Sequence, residues 1–280
     1  MPDEPVVLYE ERDSLAIITL NRPEKMNTLN DSVIQGIADG IDAATASAAV
    51  SAVVLRGAGR TFTAGYDLNP GPGSQPSPRR YGAPEVEHRP GAWDPVRDYQ
   101  FMGNNMKRFM KLWECPKPVI AAVHGYCIGG GVDLIAACDI RLASADAIFS
   151  VREAKVAIVA DLGSLQRLPS IIGAGHLAEL AFTGKDISAE RAKAIGLVND
   201  VAADAEGVLK AAYELAQEIA TNSPIAVQGT KAVLAANEGR TVAEGLDYVA
   251  TWNAGMLASD DLIEAMTAFM ERRTPKFTGR

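Results

Sequence analysis

Three carboxylates in apolar, glycine-rich surroundings are the residues of this chain best suited to chemistry. Asp133 follows three consecutive glycines, Glu153 lies between Ser150 and Ala154 in a short mixed segment, and Asp161 interrupts an apolar run. A carboxylate seldom occupies such a position unless it is paired or used, because burying an unpaired charge is costly. Two carboxylates beside a backbone anion-binding site can move protons on a carbon acid, so these residues predict a proton-transfer reaction.

The composition is typical of a globular protein and argues against general binding to nucleic acid. The chain has 280 residues, of which 48% are hydrophobic and 22% charged, and its net charge is -8. Nucleic-acid binding requires neutralisation of phosphates, which an acidic chain does not favour, although a local basic patch for a phosphorylated ligand is compatible with it. The sequence suggests neither a signal peptide nor a membrane span, so we expect a cytoplasmic protein that does not bind a membrane.

The cysteines and histidines predict no metal site. Cys115, Cys127 and Cys138 are odd in number and form no Cys-x-x-Cys pair, which disfavours a disulfide framework and a zinc site and favours reduced thiols. The three histidines are isolated in sequence. For His124, next to a glycine-rich segment, we expect a structural hydrogen bond.

Hydrophobic patterning predicts an α/β core followed by a helical region. Buried strands are predicted at residues 15–20, 50–56, 118–123 and 139–143, and helices at residues 31–46, with a cap at Asn30 or Asp31, and 130–137. Strands that alternate with helices favour parallel pairing. Beyond about residue 205 the chain becomes alanine-rich and helical, most clearly over 206–220 and 241–271. We therefore divide it into a core, 1–200, and a C-terminal helical region, 201–280.

Residues 69–98 differ from the rest of the core. This segment is rich in proline and glycine and carries several charged residues. A loop of this length within a compact domain is usually functional or disordered. A mobile lid over a site and a passive insertion are both compatible with its composition.

Two glycine-containing segments predict a backbone site for an anion. Residues 61–68 end in a turn in which Gly65 frees the local backbone, and residues 124–131 lead into a helix whose first N–H groups lack partners. Neither a P-loop nor the Gly-x-Gly-x-x-Gly spacing is present. One N–H group from each segment would form an oxyanion hole for a developing enolate. The alternatives are an ordinary turn capped by Asp67 and close packing of backbone at the glycines.

Together, these segments resemble the enoyl-CoA hydratase/isomerase (crotonase) superfamily. The resemblance extends over about residues 6–275 and is also carried by residues 21–30, 116–121 and 165–169. It implies an α/β fold made of a spiral of ββα units, with a helical C-terminal region for trimerisation. It also implies a homotrimer, or a hexamer made of two trimers, that acts on an acyl-CoA thioester. No separate cofactor is implied, since CoA is part of the substrate.

The resemblance also implies where the thioester binds. The oxyanion donors would be the backbone N–H groups of Ala64 and Gly130. Further contacts to the acyl chain or to CoA would come from Lys25, Gly65, Tyr66, Asp67, Leu68 and Lys276. The CoA phosphates need cations, and Arg272 and Arg273 near the C-terminal lysine are additional candidates. Each of these basic residues is equally compatible with solvated surface charge.

The three carboxylates resemble those of the dienoyl-CoA isomerase branch of the superfamily. That resemblance implies an isomerase that shifts the double bonds of 3,5-dienoyl-CoA to 2,4-dienoyl-CoA in fatty-acid β-oxidation. Glu153 would remove the proton from carbon 2, and Asp161 would deliver a proton to carbon 6. Asp133 would be an electrostatic or proton-holding neighbour. Apolar surroundings would raise the pKa of these groups towards the working pH.

Two other functions remain open from the sequence. A 2-enoyl-CoA hydratase would use Glu153 and a water molecule, with Asp133 in place of the usual glutamate, and would not need a charge at Asp161. A non-catalytic member that binds acyl-CoA or RNA is disfavoured by the three carboxylates and by the net charge of -8. At the level of single residues, Asp161 could be a turn aspartate before Gly163, and Glu153 a surface ion-pair partner of Arg152 or Lys155.

Overall fold

The protein has a mixed α/β fold, and the computed structural model describes residues 4–68 and 95–280 of the chain. Within these ranges, the strands are β1 (Val7–Arg12), β2 (Leu15–Leu20), β3 (Ala52–Gly57), β4 (Val119–Val123), β5 (Tyr126–Ile128), β6 (Ile140–Ser144), β7 (Ile148–Ser150), β8 (Ile187–Ser188) and β9 (Asp200–Ala202).

The helices divide into a set that surrounds the sheets and a C-terminal set. The first set is α1 (Asp31–Ala46), α2 (Pro95–Glu114), α3 (Gly130–Ala136), α4 (Ser164–Ile172), α5 (Ala174–Thr183), α6 (Ala189–Ala194) and α7 (Ala205–Ala220). The second set is α8 (Pro224–Ala236), α9 (Val242–Met256) and α10 (Asp260–Glu271). Within the described ranges, none of these helices combines the length and the apolarity needed to cross a membrane.

The strands form a large sheet and a small one. The large sheet has the order β1-β2-β3-β4-β6-β9, in which β1 runs antiparallel to β2 and the other neighbours pair in parallel. The small sheet has the order β5-β7-β8, with β5 and β7 parallel. The predicted α/β class and parallel pairing are confirmed, and β1 adds an antiparallel edge that the sequence patterning did not predict.

Both faces of the large sheet are covered, as the nearly continuous apolar strands require. One face packs in the main core with α1, through residues such as Ile18, Leu55 and Ala121. The opposite face holds Val54, Ile120 and Leu142 and is covered by α7. The predicted division near residue 200 falls at β9, and α7, which follows it, packs on the sheet.

Local sequence signals place several elements where we predicted them. The β2 strand occupies the predicted residues 15–20, and α1 covers 31–46 with the Asn30 side chain accepting the Val33 N–H at 3.0 Å. The helical segment predicted at 241–271 is two helices, because Ser259 caps a new helix, α10, by accepting the Leu262 N–H. Of the predicted 69–98 insertion, residues 69–94 lie outside the described residues, and 95–98 are the first turn of α2.

A buried aspartate fastens the C-terminal tail to α10. Asp261 is only 2% exposed, and its carboxylate accepts the Ser223 hydroxyl at 2.7 Å and the N–H groups of Thr278 and Gly279 at 2.7 and 3.1 Å. These bonds join the start of α8, the start of α10 and the tail. The contact therefore determines where the last residues of the chain lie.

Replacing Asp261 by Ala is expected to lower the free energy of unfolding by about 2 kcal/mol, because three donors lose their acceptor. Thermal unfolding of the purified variant measures the loss. Asp260→Ala is the matched control, since that aspartate is exposed at the start of the same helix. Equal stability of the Asp261 and Asp260 variants would contradict the fastening role.

Candidate active site

The site is organised around a buried asparagine in the loop after β2. Asn27 is 1% exposed; its Oδ1 accepts the Arg22 N–H at 2.8 Å, and its Nδ2 donates to the Ala58 and Thr61 carbonyls, both at 2.8 Å. The carbonyl of Asn27 accepts the Thr63 hydroxyl at 2.7 Å. The Arg22 bond closes the early loop on itself, and the other three bonds hold that loop against the segment 58–63, which follows β3.

The segment 61–68 lies between two other stretches of backbone. On one side, Thr63 pairs with β5 by donating to the Tyr126 carbonyl at 2.9 Å. On the other side, Leu29 donates to the Gly65 carbonyl at 2.8 Å and accepts the Asp67 N–H at 2.9 Å. Gly65 is required here, since its φ is +90° and an added side-chain carbon would lie 2.7 Å from the Ile128 carbonyl oxygen.

The backbone N–H of Ala64, which we predicted to be an oxyanion donor, is already engaged. It donates to the Met26 carbonyl at 3.0 Å, on the side away from β5. An N–H group that completes a hydrogen bond in the fold is not directed at a substrate oxygen. The prediction of Ala64 as a donor is therefore wrong, and the physical reason is a contact with a loop almost forty residues earlier in the chain.

The backbone N–H of the neighbouring Tyr66 points to the side that we predicted for the backbone N–H of Ala64. Because Leu29 bonds the Gly65 carbonyl and the Asp67 N–H, the peptide groups of Tyr66 itself point to the opposite side of this bridge. The backbone of Ile128 and Gly129 lies on that side of Gly65. The Tyr66 N–H is therefore directed towards the stretch that leads into α3.

The second predicted donor, Gly130, is the first residue of α3. A helix of this kind leaves its first N–H groups without an acceptor inside the helix. All seven residues of α3 are buried, and Gly129 before it has φ +53° and donates to the Ser150 carbonyl at 2.8 Å. A side-chain carbon on Gly130 would lie 3.1 Å from atoms of both Leu29 and Tyr66. Only glycine fits at this position without displacing them.

Asp133 is the third residue after Gly130, and it is 1% exposed. Its Oδ1 accepts the N–H of Ser164, the first residue of α4, at 2.7 Å. Burial raises the pKa of Asp133 to about 7, the Ser164 bond opposes the rise, and the charges of Glu153 and Asp161 add to it. The carboxyl group can therefore hold or release a proton near neutral pH.

Glu153 begins a short 3-10 helix, Glu153–Val156, and is the third residue after the end of β7. It is 8% exposed, and its Oε1 lies 3.2 Å from the position that a side-chain carbon on Gly129 would occupy. Its Oε2 is buried without a hydrogen-bond partner among the described residues. Burial is the main cause that raises the pKa of Glu153, and the charge of Asp161 contributes. A desolvated carboxylate of this kind is a suitable base.

Asp161 is half-buried, and burial raises its pKa. The apolar residues before it were predicted to bury it, but Val156, Ile158 and Val159 are 44%, 53% and 74% exposed. The apolar residues directly on either side of it, Ala160 and Leu162, are 5% and 6% exposed, and the pKa values of Asp133 and Glu153 respond to its charge. The structure thus brings together the three carboxylates that the sequence singled out.

Asp133→Asn is expected to increase the free energy of unfolding at alkaline pH. The folded protein holds the Asp133 proton up to pH about 7, whereas the unfolded chain releases it near 3.8. Between these values the folded state binds more protons, so this group makes stability fall as pH rises. Asparagine stays neutral and can still accept the Ser164 N–H.

Urea unfolding at about pH 5 and about pH 8 measures this effect, with a larger gain expected at the higher pH. Asp39→Asn, on the exposed face of α1, is the control and should change stability little at either pH. A gain at Asp133 that does not depend on pH would show that the carboxyl group is not protonated in the folded protein.

The predicted contacts to the rest of the substrate are distributed unevenly. Asp67 forms an ion pair with Arg22 at 3.0 Å, so it helps to hold the segment in place. Leu68 is 57% exposed and Lys25 lies exposed in the early loop. Lys276 is exposed in the C-terminal tail, and no described contact joins it to the carboxylates. The Nε2 of His124 donates one hydrogen bond to the Gly59 carbonyl at 3.0 Å, the structural role that we predicted.

The sequence profile described as Enoyl-CoA hydratase/isomerase matches residues 10–89 and 91–280. The chain belongs to this family. Among the relatives of this chain, the mitochondrial Δ(3,5)-Δ(2,4)-dienoyl-CoA isomerase of Mus musculus is 41% identical to it. The alignment covers 92% of this chain and 77% of the relative. The peroxisomal enzyme of that name from Arabidopsis thaliana is 42% identical over 93% of this chain and 91% of its own length. A short-chain enoyl-CoA hydratase of Clostridium acetobutylicum is 33% identical over 95% of both chains.

Solved structures of the family share the fold. An enoyl-CoA hydratase of Bacillus anthracis superposes with a TM-score of 0.85 at 30% identity, covering 98% of this chain and 100% of the other. An enoyl-CoA hydratase of Mycobacterium tuberculosis superposes with a TM-score of 0.81 at 33% identity, covering 99% and 100%. The predicted crotonase-like fold is therefore confirmed for this family member.

Proposed function

We propose that this protein is a dienoyl-CoA isomerase that converts 3,5-dienoyl-CoA to 2,4-dienoyl-CoA thioesters in fatty-acid β-oxidation. The observation that carries the proposal is the cluster of Asp133, Glu153 and Asp161, three carboxyl groups whose pKa values are all raised by burial, next to the start of α3. The names of the relatives that are 41% and 42% identical support this assignment.

In the proposed mechanism, the thioester oxygen binds between two backbone N–H groups. Gly130 supplies one of them, at the positive end of α3, and Tyr66 supplies the other in place of Ala64. Each donor stabilises the developing enolate oxygen by about 3–4 kcal/mol, as in other oxyanion holes. Because the enolate is stabilised, the proton on carbon 2 becomes acidic enough for a carboxylate to remove it.

The carboxylates then carry the proton transfers. Glu153 breaks the carbon 2 to hydrogen bond by taking the proton, and the electron pair spreads over the conjugated dienolate. Asp161 gives a proton to carbon 6, which moves both double bonds and leaves no charge on the substrate. Asp133 holds a proton near neutral pH and reduces the repulsion among the three groups. The reaction needs no oxidant, and CoA enters only as part of the substrate.

A 2-enoyl-CoA hydratase is the second candidate, favoured by the 33% identity to the Clostridium acetobutylicum enzyme. Hydration would require Glu153 to activate a water molecule and would leave Asp161 without a role. The position of Asp161 within the same charged cluster therefore favours isomerisation.

A paired assay on the purified protein tests the proposal. One sample contains a 3,5-dienoyl-CoA and is followed by the absorbance of the conjugated 2,4-dienoyl thioester, and the other contains a short 2-enoyl-CoA and is followed by the absorbance lost on hydration. A rapid gain with little loss supports the isomerase. Loss without gain would instead identify a hydratase, and a salt-sensitive shift of RNA in a gel would revive the RNA-binding alternative.

We also propose that the C-terminal helices assemble the protein into a homotrimer, or a hexamer of two trimers. Several apolar side chains on α9 and α10 are exposed in the single chain, including Leu246 (63%), Ile263 (63%), Met266 (61%) and Phe269 (85%). Exposed apolar surface of this extent on adjacent helices is typical of protein interfaces. The native mass in solution distinguishes one, three and six copies.

The proposed location is the cytoplasm. The three cysteines are buried and unpaired, which suits a reducing compartment. The relatives carry the words mitochondrial and peroxisomal in their names, so subcellular fractionation is the test.

Lys25 and Lys276 remain the proposed contacts for the CoA phosphates. Substitution of either by Ala should raise KM for the CoA ester but not for a pantetheine ester of the same acyl group.

A further inference from the structure

The Tyr66 side chain has a fixed position next to the proposed oxyanion hole. Leu29 bonds the backbone on both sides of Tyr66, which fixes where the side chain begins. The edge of the ring lies against Gly130, with Cδ2 and Cε2 at 3.1 and 3.2 Å from the position of an added side-chain carbon. The ring therefore borders the place where carbon 1 of the acyl group would lie.

The hydroxyl end of the same side chain is in the electrostatic field of Asp161. Burial is the main cause that raises the pKa of Tyr66 well above its ordinary value, and the charges of Asp161 and Asp133 add to it, whereas Arg108 opposes it. Asp161 has the largest effect among these charges. The phenol therefore stays protonated at any working pH and cannot act as a base, so what this side chain contributes to the path of the acyl chain is its shape.

The Tyr66 ring thus borders the oxyanion end of the proposed reaction path, and its hydroxyl lies within reach of the charge of Asp161 at the other end. A dienolate formed from a 3,5-dienoyl thioester can accept a proton at carbon 4 or at carbon 6. Protonation at carbon 4 gives the unconjugated 2,5-dienoyl isomer, and protonation at carbon 6 gives the 2,4-dienoyl isomer. In both cases one proton leaves carbon 2 and one is added, so the product depends on which carbon lies at Asp161.

We propose that the Tyr66 side chain is a positioning residue that holds the acyl chain extended between Gly130 and Asp161, so that carbon 6 and not carbon 4 receives the proton. The proposal rests on the proposed isomerase function and deepens it. The planar ring limits how the acyl chain bends as it leaves the oxyanion hole. Removal of the ring would let the chain fold back and bring carbon 4 to Asp161.

Tyr66→Ala and Tyr66→Phe test this proposal, and both retain the backbone N–H of residue 66. Each variant is incubated with a 3,5-dienoyl-CoA, and the 2,4 and 2,5 products are separated by chromatography. We expect the ratio of 2,4 to 2,5 product to fall about tenfold in Tyr66→Ala, which corresponds to about 1.4 kcal/mol, and to stay near the wild-type value in Tyr66→Phe. Tyr9→Ala, on the edge strand β1, is the control and should keep the wild-type ratio.

An unchanged product ratio in Tyr66→Ala, whatever the value of kcat/KM, would overturn the positioning role and leave the isomerase function standing. Absence of 2,4 product from the wild-type protein would instead refute the isomerase function itself. If Tyr66→Ala does not fold, Tyr66→Leu retains apolar bulk without a planar ring, and its product ratio is interpreted in the same way.

Discussion

Asp161→Asn is expected to lower kcat for the conversion of 3,5-dienoyl-CoA to 2,4-dienoyl-CoA by about 10²–10⁴-fold, the usual contribution of a positioned acid. Asparagine has nearly the same shape but no proton to give to carbon 6. Burial raises the pKa of Asp161, so in the wild-type protein a larger fraction of this group carries a proton at neutral pH. Absorbance of the conjugated product measures the rate.

Exchange of the hydrogen on carbon 2 with solvent distinguishes removal of the proton at carbon 2 from delivery of a proton to carbon 6. Since Glu153 is intact in Asp161→Asn, hydrogen at carbon 2 of the substrate should still exchange with deuterium from the solvent. Asp39→Asn, which changes an exposed aspartate on α1, controls for the substitution itself. If the Asp161→Asn variant isomerised the substrate at the wild-type rate, Asp161 would not be catalytic. It would then be a structural aspartate in the turn before Gly163.

Glu153→Gln is expected to abolish both reactions, with kcat and carbon 2 exchange each falling by about 10²–10⁴-fold. The Oε2 atom of Glu153 is buried and unpartnered in the described part of the chain, and this desolvated oxygen is the one that would accept the proton. A glutamine amide keeps the packing against Gly129 but cannot act as a base. Mass spectrometry of recovered substrate measures the exchange.

The two variants together determine which of the two carboxyl groups is the base and which is the acid. Glu190→Gln, exposed in α6, is the matched control for the glutamate. If Glu153→Gln retained exchange and Asp161→Asn lost it, the base and the acid would be the reverse of our assignment. Equal exchange in both variants would mean that neither group acts alone at carbon 2.

Features that depend on neighbouring residues were predictable from the sequence. The start of α1 at Asp31 follows from the Asn30 cap, and β2 follows from a continuous apolar run. The three carboxylates could also be selected without a structure, because a charge in an apolar or glycine-rich segment indicates use. Asp133 and Glu153 are indeed buried.

Features that depend on distant contacts were not predictable. The N–H of Ala64 is engaged by the carbonyl of Met26, and Leu29 bonds the backbone on both sides of Tyr66, so the direction of each N–H group depends on a distant loop. The Ser164 N–H that holds Asp133 comes from a different helix, thirty-one residues later. Short helices such as α6 and the short strands of the small sheet have too few residues to show a periodic hydrophobic pattern in the sequence.

The apolar run before Asp161 shows how hydrophobicity alone can mislead. Val156, Ile158 and Val159 suggested a buried segment, yet all three are exposed in the single chain. Hydrophobic residues predict that a surface is covered by something, and the cover can be a substrate or another copy of the protein as well as the core.

The proposed site has two halves that differ in how often their backbone can open to solvent. Leu134, Ile135 and Ala136 are buried in the last turn of α3, so their amide hydrogens can exchange with deuterium only when much of the core unfolds. Residues 154–159, between Glu153 and Asp161, are all exposed and can open locally at little cost. Mild heating would therefore disturb the placement of the two proton-transferring groups while the anion-binding half is still intact, and loss of activity would precede loss of structure.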